Sequence, residues 1–260
     1  APHAPYSVTA EALQASMRLA EELDTTWQIH LSETEEERQN AIKEFGCSPV
    51  EYLAKLGCLN ERTIAVHCVA LSDRDIGLLA ESGASVVHCP VSNMRLGCGA
   101  SPVVKLLKGG INVALGTDGA ASACSLSMFE QMRTAGLIAK GFSQDPTELT
   151  VNQIIRMATI NGANALKLHC DVGSLAVGKL ADLAVIDMSQ LVTMPVLDVL
   201  SNVIYAVEAQ CVHQVWVSGS LVANIQQEKL LRPDRGKLLT KSNIMSWQNR
   251  VCEILRDDFN

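Results

Sequence analysis

The sequence predicts an α/β fold, with parallel strands alternating with helices over most of the chain and a short β-rich region behind them. Two observations carry this reading. From residue 27 to residue 140, short Val-, Ile- and Ala-rich runs alternate with capped, amphipathic stretches, the pattern of successive β-α units. After Gly141 one long amphipathic stretch leads into a Val-rich, Gly-punctuated segment of short strands up to residue 223, which reads as a small β domain.

The elements follow in order. The turn Pro2-His3-Ala4-Pro5-Tyr6 resists a helix, because each Pro biases its predecessor toward extended geometry. Ser7 or Thr9 then caps a helix over 10–23, with Leu13, Met17 and Ala20 at helical spacing. A strand ends at His30. Residues 34–45 form a helix with acidic residues at its favourable N-terminal end. Gly46 interrupts it, and a second helix runs to 56 with Ser48 as cap and Pro49 at its first position. Residues 63–68 are a strand, 72–82 a capped helix, and 84–89 a strand followed by a polar loop over 90–100. A short helix over 102–108 stops at Gly109-Gly110, the next strand covers 111–115, and a helix covers 126–140. Residues 150–168 read as one long helix opening on Thr150. In the β region the strands fall at 183–186, 212–217 and 221–223, with Gly219 in a hairpin turn. A polar linker over 232–241 and a terminal amphipathic helix over 242–256 complete the chain. The domain division is therefore 1–170, 171–230 and 231–260.

At 260 residues, with 48% hydrophobic and 19% charged residues, the chain has the composition of a soluble globular protein rather than a disordered one. A net charge of −7 and the lack of a basic block give no reason to expect nucleic acid as a partner. No apolar run approaches the roughly 20 residues that span a bilayer, so no membrane partner is expected. The first residues have neither a charged segment nor an apolar core, so no signal peptide is expected. The nine cysteines include no CxxC pair. Cys68, Cys89 and Cys211 lie in apolar strand patterns, which fits reduced, buried thiols and a cytoplasmic setting. The chain opens on APHAPYSV, without an initiator Met and inside a motif.

Chemistry concentrates at strand ends. His30, His67, His88 and Asp118 each sit where a strand gives way to a loop, which is where functional residues collect in parallel α/β folds. Each alone has an ordinary explanation. A strand-end His is often a hydrogen-bonded structural group, and an Asp before Gly often forms a turn or a cap. Four successive strands carrying such residues at one topological place point to a common site for a divalent metal. Imidazole and carboxylate are suitable ligands for one. Glu33 has two readings, as the first acid of a helix N-terminus or as a proton donor beside a metal. Ser92, Asn93 and Arg95 line a pocket or belong to an ordinary loop. The chain has no GxSxG elbow, no GxGxxG and no P-loop, which counts against serine hydrolases, dinucleotide binders and nucleoside-triphosphate binders.

The stretches PHAPYSV (2–8), QIHLSETEEE (28–37), AVHCVAL (65–71), VVHCPVSNMRLGCG (86–99), LGTDGAAS (115–122), MATINGANAL (157–166) and GSLAVGKLADLAVID (173–187) resemble the amidohydrolase superfamily. Within it they are most similar to the methylthioadenosine/S-adenosylhomocysteine deaminases and their chlorohydrolase-like relatives. The resemblance implies the C-terminal half of a (β/α)8 TIM-type metal-dependent hydrolase barrel plus part of a small β-sandwich. It implies hydrolytic deamination of a 6-aminopurine nucleoside with release of ammonia, and one divalent metal, zinc ahead of iron. By motif, His30 and Asp118 would be metal ligands, and Asp118 would also take a proton from water. His67 would orient that water. Glu33 would bind substrate and protonate the purine, His3 and Asp118 would contact substrate, and His88 would back up the site's residues or be structural.

The family's first strand, with its His-x-His metal pair, has no counterpart among these residues. The expected partners are therefore a purine nucleoside, and either a homo-oligomer or a chain supplying the other half of the barrel. Cys89 stands where the family often has Asn, and Lys167 where it often has Gly. Two alternatives stay open. One is an amidohydrolase acting on a guanine, cytosine or triazine-like ring. The other is a non-catalytic remnant serving as an interaction module.

Overall fold

The computed structural model describes residues 1–224 and the two-residue strand Lys229–Leu230. The linker and terminal helix expected over 232–256 lie outside the described residues. The chain divides into two compact units, one of Ala1–Ser174 with Asp198–Ala206, the other of Leu175–Leu197 with the described residues from Val207 onward.

In the first unit the elements run α1 (Ala10–Glu22), β1 (Trp27–Leu31), α2 (Glu35–Phe45), α3 (Pro49–Lys55), β2 (Thr63–His67), α4 (Asp73–Ser82) and β3 (Ser85–His88). They continue with α5 (Pro90–Arg95), α6 (Val103–Lys108), β4 (Val113–Leu115), α7 (Ala120–Ala123), α8 (Met128–Ser143), α9 (Val151–Ala158), α10 (Ile160–Ala165) and α11 (Val199–Tyr205). Thr9, Thr34, Ser48, Ser72, Ser127 and Thr150 each accept an amide as N-cap. Such caps fix where a helix starts and are each worth about 1 kcal/mol.

The four strands form one parallel sheet in sequence order, β1-β2-β3-β4. Leu31 is opposite His67 and His88 opposite Leu115, so the strands end at one level. Alternation sets two faces. Ile29, Leu31, Ala65, Val86, Val113 and Leu115 pack with Leu13, Met17, Leu53, Leu79, Leu106, Met132, Ile154, Met157 and Ile204 in the main core. Each large side chain buried there stabilises by about 1.5–3 kcal/mol. The other face carries a smaller cluster of Ile64, Val66, Cys89 and Ala165.

Three expectations are corrected. The polar loop of 90–100 contains α5, because Pro90 occupies its first turn and the Asn93 amide bonds back to the Cys89 carbonyl at 3.0 Å. A proline at that position suits a helix start. The single helix of 150–168 is two, broken at Thr159 (φ −131°, ψ −98°). The break lets the Asn161 side chain donate to the Val113 carbonyl on β4 at 2.9 Å, while Asn112 donates to the Asn161 carbonyl at 3.0 Å. These tertiary bonds override the periodicity. The stretch 198–206, read with the β region, holds α11 and belongs to the α/β unit.

The second unit holds one antiparallel sheet, β5 (Leu183–Ile186), β6 (Val212–Val217), β7 (Ser220–Asn224) and β8 (Lys229–Leu230), in that order. The β6–β7 hairpin turns on Ser218 and Gly219, with φ of 49° and 76°, as a type I′ turn requires.

Candidate metal centre

His30 precedes the last residue of β1, and its surroundings fix its tautomer. The His3 carbonyl accepts the His30 backbone amide at 2.9 Å and faces its Nδ1 at 3.1 Å. A carbonyl only accepts, so Nδ1 carries the proton and Nε2 keeps its lone pair. The His3 ring stands 4.8 Å from the His30 ring, which stands 4.9 Å from that of His67.

His67 ends β2 with a φ of +74°, and Cys68 follows at +50°. Such left-handed residues cost about 1–3 kcal/mol each and persist where surrounding bonds hold them. Here the Cys68 amide donates to Leu31, and the Cys68 carbonyl accepts the Ser101 hydroxyl at 2.8 Å. The twist turns the fully buried imidazole toward β1. Its Nδ1 donates to the Asn93 carboxamide oxygen at 2.8 Å. Its Nε2 is buried without a hydrogen-bond partner among the described residues, 3.8 Å from Glu33 Oε2. Burial pulls the His67 pKa below the ordinary imidazole value, against the upward pull of the Glu33 carboxylate.

Asp118 follows β4 in the left-handed region, φ +59°. The Ser92 hydroxyl donates to Oδ2 and the Gly119 amide to Oδ1, both at 2.6 Å. Burial alone would raise its pKa, but these two donors and the imidazoles of His67 and His30 outweigh it and lower it. His30 Nε2 is 3.9 Å from Asp118 Oδ1, too far for a hydrogen bond.

His30, His67 and Asp118 each offer one ligand atom, and these atoms lie within 4.8 Å of one another. Two imidazole nitrogens with free lone pairs and a carboxylate held ionised are a donor set for a divalent cation. The buried Nε2 of His67, without a hydrogen-bond partner among the described residues, leaves a lone pair for such a cation or for a water beside it.

Glu33 stands beside this set, its Oε1 receiving the Cys98 thiol at 3.5 Å. It also borders a cavity of about 540 Å³ with Tyr6, Glu37, Asn40 and Phe45 on its walls. His88 does not join the cluster. It alternates with Val87 and lies with Val86 on the helix-packed side of β3, lining a separate cavity between α6 and α8. Burial drives its pKa down to about 3. By sequence alone Ser92 and Asn93 are pocket or loop residues. They hold Asp118 and His67 instead, and the signal for that was Pro90, which starts the helix presenting both.

The Amidohydrolase family model matches residues 1–222. Among similar proteins, the 5-methylthioadenosine/S-adenosylhomocysteine deaminase of Teredinibacter turnerae is 45% identical over 250 residues, covering 96% of this chain and 56% of that protein. The 5'-deoxyadenosine deaminase of Methanothermobacter thermautotrophicus is 42% identical over 221 residues, covering 85% and 51%. An adenosine deaminase from Xanthomonas campestris with bound zinc superposes with a TM-score of 0.89 at 39% identity, over 97% of this chain and 56% of that one. The chain thus spans about half the length of these relatives, and its four parallel β/α units are of the (β/α)8 barrel class.

Proposed function

The chain belongs to the amidohydrolase family, and we propose that it carries the hydrolytic centre of a deaminase for 6-aminopurine nucleosides of the methylthioadenosine, S-adenosylhomocysteine or adenosine type. The observation that carries this is the convergence of His30, His67 and Asp118 beside Glu33. The names of the relatives supply the substrate class, and the zinc in the Xanthomonas enzyme favours zinc over iron.

His30 and Asp118 are the residues that would hold the cation. When bound, it lowers the pKa of a water so that a nucleophile exists at neutral pH. Asp118, ionised by its Ser92 and Gly119 donors, accepts a proton from the attacking water. His67 keeps its Nε2 lone pair because burial opposes its protonation and Asn93 holds the proton on Nδ1. It accepts a hydrogen bond from the same water and orients it. Glu33 gives a proton to the purine ring nitrogen as C6 becomes tetrahedral. Asp118 passes the proton it took from the water to the amino group, which leaves as ammonia, and the proton of the new C6 hydroxyl restores the Glu33 acid. His3 contacts the substrate.

The reaction also needs the other half of the barrel, from the same polypeptide or from another chain; self-association into a homo-oligomer is a separate partner reading. A cytoplasmic setting rests on the free, buried thiols Cys47, Cys58, Cys68, Cys89 and Cys211. The test is ammonia release from S-adenosylhomocysteine by the zinc-loaded protein with the first half of the fold present. Steady release is expected, and none with zinc bound would overturn the proposal.

A further inference from the structure

Glu37 lies four residues beyond Glu33, at the third position of α2. An acidic side chain at this position ordinarily bonds the amide of its own N-cap residue, here Thr34. The Glu37 carboxylate takes that bond and also reaches further back. Its Oε1 accepts the Ser32 amide at 3.0 Å and its Oε2 the Glu33 amide at 2.6 Å. Both amides belong to the turn that joins β1 to α2. Ser32 in that turn is fully buried with a φ of +50°, a backbone state that a residue with a Cβ keeps only when neighbours hold it. On the far side of the turn, the Ser32 carbonyl accepts the amides of Val69 and Ala70 beyond β2, each at 2.9 Å.

The turn is therefore gripped from α2 on one side and from β2 on the other. The Glu33 side chain runs from it toward the site, one oxygen receiving the Cys98 thiol at 3.5 Å and the other 3.8 Å from His67 Nε2. Glu37 itself sits at an unfavourable place for a charge, since burial raises its pKa despite the amides it receives.

We infer that Glu37 is a positioning residue, whose carboxylate clamps the Ser32 and Glu33 amides and so sets where the Glu33 carboxyl meets the purine ring. This rests on the proposed role of Glu33 as proton donor. A shift of about 1 Å in a reacting group costs on the order of a hundredfold in rate, so a loosened turn acts on turnover more than on substrate or metal affinity. Glu37→Gln keeps one acceptor and turns an N–H toward an amide; Glu37→Ala removes both acceptors.

The test uses the zinc-loaded protein with the first half of the fold present, and S-adenosylhomocysteine as substrate. We expect kcat to fall about tenfold in Glu37→Gln and about a hundredfold in Glu37→Ala. KM, zinc content and Tm should hold, and hydrogen exchange should rise at the amides of Ser32 and Glu33. An unchanged kcat in Glu37→Ala overturns the inference, as does a loss of zinc and Tm in step with activity, which a merely structural residue would give. Glu33→Gln runs in parallel. Full turnover in that variant overturns both readings, whereas full turnover in Glu37→Ala alone overturns only this one.

Discussion

The Asn93 carboxamide oxygen lies 2.8 Å from Nδ1 of His67, so a residue on α5 decides which nitrogen of a buried imidazole carries the proton. Hydrogen-bonding partners of this kind are worth about 10–100-fold in metal affinity or activity when removed. Asn93→Leu should therefore lower kcat by about that factor while leaving the fold intact. Circular dichroism and kinetics on the same sample check both halves of the statement.

Glu33 has a different signature. Its carboxylate is no part of the His30, His67 and Asp118 set, so Glu33→Gln should retain bound zinc. A general acid contributes about 10²–10⁴-fold, and that is the loss of turnover expected. Zinc content by atomic absorption alongside kcat decides it, and unchanged turnover with zinc bound would remove the acid role.

Metal binding should also stabilise the chain. A cation that binds only the folded state adds RT ln(1 + [L]/Kd), about 2.7 kcal/mol at a hundredfold excess over Kd. Thermal melts with zinc and with a chelator should differ accordingly. The difference should vanish in His30→Ala and Asp118→Ala, whose ligand atoms are gone, and persist in Glu33→Gln.

His88 supplies the pH dependence. Folded, its pKa is held down near 3 by burial; unfolded, it returns to about 6.5. Between these values the unfolded chain binds a proton that the folded chain refuses. The stability it contributes is thus present above about pH 6.5 and is lost as pH falls, by about 1.4 kcal/mol per unit. At pH 5 the loss is about 2 kcal/mol. His88→Leu should flatten this part of the acid limb, read by urea unfolding at pH 7 and pH 5. An unaltered slope would show that other groups carry it.

The strand ends and caps were legible in the sequence because both follow local rules. Thr34 before an acidic run and Ser48 before Pro49 announce helices without tertiary help. Strand alternation told that Val86 and His88 share a face, but not that this face packs against the helices, so His88 looked like a companion of His67. The twist at His67, with its φ of +74°, is what brings one strand-end histidine into the site and no local rule foretells it. Asn93 and Ser92 were seen as polar without their partners, since 26 residues separate each from the group it holds. Likewise α11 has its reason in distant contacts, with Ile204 fully buried in the main core.

That last placement can be tested at Gly136. A Cβ built there would lie 2.7 Å from Tyr205 Oη on α11 and 2.9 Å from Ile154 Cδ1 on α9, closer than packed atoms tolerate. In an isolated helix Gly136→Ala would gain about 1 kcal/mol. Overpacking a core costs about 1–3 kcal/mol, so in this protein the change should be net destabilising. Tyr205→Phe removes the hydroxyl that meets the new methyl, and the double variant should therefore recover part of the loss. Urea unfolding of the two single variants and the double variant measures this coupling. Strict additivity would mean that α11 does not dock against α8 at Gly136.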